Sequence, residues 1–183
     1  GNLGVWLVFG LVVVVLVYCF WHISWAHFNP AVTVWLSVAG KFDKRCVLDY
    51  VVVQVLGWIL ASFTLFLIFS ENFVHLKEVA YMWATFPRGS VFQSFVLEIV
   101  LTFILLLVVY FTAVHKNAIK ELSGLAIGFT IWLETIFAWL VTGASMNPAR
   151  SIGPALVSFH LDHLWVYIVA TLIWAVLASL LYR

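Results

Sequence analysis

The sequence predicts an all-α membrane protein arranged as an inverted repeat around two short helices that enter the bilayer without crossing it. Composition is the first reason: 65% of the 183 residues are hydrophobic and 9% charged, with a mean hydropathy of +1.12, whereas soluble domains carry about 25% charged residues. The second is a duplicated triplet. Asn29-Pro30-Ala31 and Asn147-Pro148-Ala149 lie 118 positions apart, each after a long apolar segment and before a short one. The third is what that triplet does locally. Proline suits the first turn of a helix, where its missing N–H costs nothing, and asparagine is a preferred N-cap in front of it. The apolar runs that follow, 32–38 and 151–157, are too short for a span of about 20 residues. A half-helix ending at membrane depth presents unpaired N–H groups and a positive dipole end, tolerated only inside protein or beside a wet cavity. Two such ends imply an aqueous path.

Five segments are long and apolar enough to span: Val5 to Ile23, Val47 to Phe69, Val91 to Val114, Leu122 to Val141 and Leu164 to Leu181. The first lacks a basic start and leads directly into the first triplet, so it reads as a span and not as a cleaved signal. Polarity is concentrated between spans. Lys41, Lys44 and Arg45 occupy the connection 40–45 and Lys116 and Lys120 the connection 115–121, whereas 70–90 sets Lys77 and Arg88 against Glu71 and Glu78. The positive-inside bias puts the first two connections in the cytoplasm and the third outside. The two triplets then follow spans of opposite direction, as in inverted repeats whose site lies at the bilayer midplane.

One domain is expected over 1–183, with a first repeat of about 1–70 and a second of about 91–183. The repeats are unequal. In the second, the span Val91 to Val114 precedes the span feeding the triplet, and nothing matches it before Val5, so one span of the first repeat is expected to be missing. Cys19 and Cys46 form no metal-ligand spacing and read as packing residues. The net charge of +1 suggests no nucleic-acid partner. No nucleophile–base pair, metal cluster or phosphate-binding glycine loop appears, so neither enzyme chemistry nor a cofactor is expected.

Beyond the triplets, His22-Ile23-Ser24, His27 to Thr33, Gly124 to Gly128 and Thr142 to Pro154 together resemble the aquaporin and glycerol-facilitator family, the major intrinsic proteins. The resemblance implies six spans and two half-helices, of which this sequence begins at the second span. It also implies a homotetramer in the plasma membrane with one pore per subunit, passing water and small neutral solutes. Asn29 and Asn147 would offer donors that cannot relay a proton, between two positive dipole ends that repel cations.

The family's outer constriction maps onto Phe9, Thr135, Ala144 and Arg150. A charge in a membrane segment costs about 2.5–3.5 kcal/mol on insertion scales, so Arg150 is expected at a wet cavity. Strict water channels of the family usually carry histidine at the Thr135 position, and glycerol facilitators a glycine with two further aromatics. Threonine should widen the constriction and admit glycerol or urea besides water. Other discriminating positions are mixed: Ser151, Ala155 and Tyr167 look like water channels, Ile168 like glycerol facilitators. By resemblance, Glu98 would hold the second re-entrant loop, and Gln54 and His27 the first. His22 reads as structural, and Glu134 as facing protein or paired. Trp21, Trp25, Trp35, Trp132 and Trp174 stand where the family generally has small residues that let helices approach. They imply lipid exposure, wider helix spacing or an altered pore. The competing reading, a poorly conducting homologue acting as a junction or scaffold protein, rests on those residues and on the missing span. An active transporter ranks last, for want of paired intramembrane carboxylates.

Overall fold

The computed structural model describes residues 2–69 and 83–181, and among them every regular element is helical. Long helices are α1 (Asn2–Ser24), α3 (Val47–Phe69), α4 (Val91–Val109), α5 (Ser123–Thr142) and α7 (Leu164–Leu181); short ones are α2 (Pro30–Val38) and α6 (Pro148–Ser158). Four stretches, Leu3–Ser24, Lys44–Phe69, Val91–Val114 and Lys120–Thr142, are long and apolar enough to cross a bilayer, and Leu164–Ser179 is a shorter apolar helix. At 1.5 Å per residue the 18 residues of α7 reach about 27 Å, just under a hydrocarbon core of about 30 Å. α4 closes in a wide π-helical turn, Tyr110–Val114. Lys77, Glu71 and Glu78, used above to orient the chain, lie outside the described residues.

The two halves interlock. α2 packs chiefly on α7 of the second repeat, and α6 chiefly on α3 of the first. At Gly153 of α6 an added Cβ would stand 2.6 Å from the Trp58 carbonyl carbon, so that crossing is backbone against side-chain root. α1 and α5 cross equally closely through Gly10 and Gly128. A Cβ at Gly10 would meet Gly128 O at 2.5 Å, and one at Gly128 would meet Val14 Cγ2 at 2.3 Å.

These glycines explain why the tryptophans do not spread the helices. Trp132 sits beside the α1–α5 crossing, its Cβ 2.6 Å from where a Gly10 Cβ would be, and the small-residue contact survives next to it. Trp35 is fully buried, edge-on to Tyr110 with 6.1 Å between centroids. Trp174 meets Phe103 edge-on at 5.0 Å. Trp21 and Trp25 line a central cavity. Exposure accounts for part of Trp25, which is 54% exposed, whereas Trp35 is a core residue.

Candidate functional site: a cavity between two capped half-helices

Each half-helix starts as its sequence dictates. Asn29 is extended (φ −143°, ψ 119°) and its Oδ1 accepts from Ala31 N at 2.9 Å; Asn147 is extended (φ −151°, ψ 108°) and its Oδ1 accepts from Ala149 N at 3.0 Å and Arg150 N at 3.3 Å. The side-chain amides then cross the pseudo-symmetry axis. Asn29 Nδ2 donates to Met146 O at 2.7 Å, and Asn147 Nδ2 to Phe28 O at 3.1 Å. One amide hydrogen of each asparagine is thus spent on the opposite loop. The other has no partner role in that crossing, and both residues line the cavity.

The loops that deliver the two asparagines are held by buried acceptors. Glu98 of α4, fully buried, accepts from Ser145 N and Met146 N at 2.8 Å each, and also from the Thr142 hydroxyl. Tyr167 donates to Thr142 O at 2.8 Å, adding a support from α7. On the first loop Gln54 Nε2 donates to His27 O at 2.6 Å and Thr33 Oγ1 at 2.9 Å. His27 Nδ1 pairs with Thr33 Oγ1 at 2.8 Å while its ring stacks on Tyr50 and meets Phe42 edge-on. The second loop is clamped by a carboxylate taking three donors, the first by a neutral amide. His22 is exposed and lines no part of the cavity.

The cavity, about 140 Å³, runs from Phe9, Thr135, Ala144 and Arg150 at one end, past both asparagines, to Trp21, Trp25 and His27 at the other. Phe9 and Trp21 are 12 residues apart on α1, roughly 18 Å at 1.5 Å per residue. Aliphatic side chains form most of the wall: Val12, Val13 and Val17 from α1, Leu105 and Val109 from α4, Ile127 and Ile131 from α5. Thr135 turns its hydroxyl back onto Ile131 O at 2.6 Å, as hydroxyls in helices commonly do. It therefore offers the path an acceptor and a methyl group.

Arg150 is 3% exposed and makes no ion pair among the described residues. Its Nη1 donates to Trp83 O at 2.8 Å, and its guanidinium lies 5.0 Å from the Phe9 centroid and 6.0 Å from that of Trp139. A desolvated cation over an aromatic face gains up to about 2 kcal/mol, and two rings share this one. Nε and Nη2 are buried and without a hydrogen-bond partner in the protein.

Sequence reasoning missed Trp83 and Trp139. Trp139 had a signal, since it stands one helical turn beyond Thr135 on the same face; Trp83, in a long connection, had none. Glu134 does face protein, outside the cavity lining, because the path-facing stripe of α5 runs through Ile127, Ile131 and Thr135. It is not paired: both carboxyl oxygens are buried without a hydrogen-bond partner.

Comparison with known proteins gives a consistent picture. The family model described as "Major intrinsic protein" matches residues 1–182. Aquaporin NIP1-1 of Zea mays is 48% identical over 180 residues, covering 98% of this chain and 62% of the relative. Nodulin-26 of Glycine max is 43% identical, covering 98% and 64%. The chain thus spans somewhat under two thirds of the length of these relatives. Among solved structures, the aquaglyceroporin from Plasmodium falciparum superposes with a TM-score of 0.86 at 28% identity, covering 97% of this chain and 79% of that one.

Proposed function

Because the chain belongs to the major intrinsic protein family, whose members are channels and not enzymes, we propose that it is a passive pore for water and small uncharged solutes such as glycerol and urea, closed to protons and ions. The observation that carries the reading is the pair of Asn-capped helix starts meeting head to head on the cavity, each asparagine tied to the opposite loop. A permeating molecule finds one N–H from Asn29 and one from Asn147 at the helix starts, with the Arg150 charge beyond them. A water there accepts from the wall and is turned so that its own protons point away, which interrupts a proton wire. Two positive helix ends and the Arg150 charge oppose cations at the same place.

Permissiveness follows from Thr135 and Ala144 opposite Phe9 and Arg150. This filter has an apolar side, Phe9 with the Thr135 methyl, and a donor side, Arg150. Glycerol presents a C–H edge and a hydroxyl edge that match the two. The cytoplasmic placement of 40–45 and 115–121, a homotetrameric assembly and a plasma-membrane location belong to the same reading. The comparisons give no support to a non-conducting scaffold.

The test is stopped-flow light scattering of liposomes containing this chain, in osmotic gradients of sucrose and of glycerol, with Thr135→His beside it. Fast water flux with glycerol entry that Thr135→His suppresses is the expected result. Permeability no greater than that of empty liposomes, from protein shown to be folded, overturns the proposal.

A further inference from the structure

The 118-residue offset that carries Asn29 onto Asn147 also carries Trp21 onto Trp139, Trp25 onto Gly143, Ala26 onto Ala144 and Val32 onto Arg150. Running from α1 to α5 it carries Phe9 onto Ile127. The backbone keeps the operator at this pair, Ala26 and Ala144 being left-handed at φ 50° and 47°, although Met146 is left-handed and its counterpart Phe28 is not. At one end of the cavity Ala144 and Arg150 face Phe9; at the other Ala26 and Val32 face Ile127, and all six line it. The His27 end is therefore a second collar built to the plan of the Arg150 end.

Besides Ile127 for Phe9, two differences between the collars bear on what they pass. Val32 stands where the other has its guanidinium, so this collar has no charge. Gly143 sits at φ 80°, where glycine is free of steric cost, but its counterpart Trp25 holds an indole at φ 58°, a conformation large side chains rarely adopt. Trp25 and Trp21 lie with centroids 5.8 Å apart, tilted by 41°, and both line the cavity. Trp139, the counterpart of Trp21, stays behind the wall. A residue placed against its backbone preference at the mouth of a path is one whose side chain is needed there.

Resting on the channel reading above, we propose that Trp21 and Trp25, with Ala26, Val32 and Ile127, form a second, uncharged selectivity collar that sorts permeants by width at the His27 end. The Arg150 collar asks a solute to accept hydrogen bonds. The tryptophan collar asks it to pass between indole and aliphatic walls with little to bond to. The pair in series favours slim molecules with one carbon edge, three-carbon polyols over four-carbon ones.

The experiment compares wild type, Trp25→Gly, Trp21→Ala and Trp21→Phe in liposomes, measuring water, glycerol and erythritol entry. Glycine suits the left-handed backbone at 25, so Trp25→Gly should fold at least as well as wild type, which size-exclusion profile and thermal stability check. The expected result is erythritol entry raised by of order tenfold, the lower end of what one extra methylene is worth in a hydrophobic site, with glycerol raised less and water least. Trp21→Ala should act in the same direction, and Trp21→Phe should stay near wild type. A folded wild type that is silent while Trp25→Gly conducts overturns both the channel reading and the sorting collar, the tryptophan being then a plug. If folded Trp25→Gly keeps the wild-type order and rates of permeation, the collar is overturned and the pair is an interfacial anchor, with the channel reading intact. Silence of all four folded proteins overturns both.

Discussion

Glu98→Ala should be the most damaging single truncation around the pore. The carboxylate takes three protein donors, Ser145 N, Met146 N and the Thr142 hydroxyl, and is fully buried, so no solvent can replace it. Hydrogen bonds measured inside membrane proteins average about 0.6 kcal/mol and reach about 1.7. Those averages include partners that re-form elsewhere, whereas two of these donors are fixed backbone groups. The upper part of the range therefore applies, and three bonds sum to about 3.5–5 kcal/mol. Glu98→Gln keeps one acceptor oxygen and turns an NH₂ toward a backbone N–H, orphaning one donor at about 1–3 kcal/mol. The order wild type, Gln, Ala should appear in SDS-driven unfolding of the detergent-solubilised protein. It should also appear in water flux, because Met146, whose N–H Glu98 holds, supplies the carbonyl that fixes Asn29. If Glu98→Ala unfolds within 1 kcal/mol of wild type, or if Gln and Ala are equal, the carboxylate is not the clamp described and the loop is held by packing and Tyr167 alone; the 1 kcal/mol threshold is roughly the error of such measurements.

Other expectations follow from single features. Gly128→Ala puts a methyl 2.3 Å from Val14 Cγ2 and 2.7 Å from Gly10 O and should cost about 1–3 kcal/mol, whereas Gly4→Ala, with nothing within 4 Å, should be neutral or stabilising; equal thermal stability of the two would refute the close α1–α5 crossing. Arg150→Ala should introduce cation leak measurable with a potential-sensitive dye while water still passes, and a tight Arg150→Ala pore would assign ion exclusion to the helix ends alone. Mercurials should not block flux, because Ala144 offers no thiol at the constriction and neither free cysteine, exposed Cys19 or half-buried Cys46, lines the cavity. Thiol-reversible block removed by Cys19→Ser would contradict that.

The helical plan was legible because its rules are local. Asparagine before proline caps a helix wherever it occurs, and the lengths of the apolar runs separate spans from half-helices, so α2 and α6 begin at Pro30 and Pro148 as expected. The belonging of Glu98, Gln54 and Arg150 to one site was legible only through resemblance, since nothing in the spacing of 54, 98 and 150 brings them together. What escaped is three-dimensional. Which small residues carry the α1–α5 crossing is decided by register, so the tryptophans left lipid exposure, wider spacing and an altered pore open, and the contact of Gly10 with Gly128 excludes wider spacing at that crossing. The anchor of Arg150 escaped because Trp83 offers its backbone carbonyl from a connection with no periodicity. The unpaired state of Glu134 escaped because a sequence shows the carboxylate but not the absence of a donor near it.

The crossed bonds of the two asparagines have a consequence for how the chain is made. Asn29 must wait for Met146, 117 residues later, and Phe28 for Asn147, 119 residues later. At the ~5–20 residues per second of synthesis, the first loop exists for roughly 6–24 s with its amide and its carbonyl unsatisfied. Lipid would penalise both groups throughout that interval. The first half-helix therefore has to be held in a wet or protein-lined place until the second arrives, and the pore closes around itself only when synthesis of this region is nearly over.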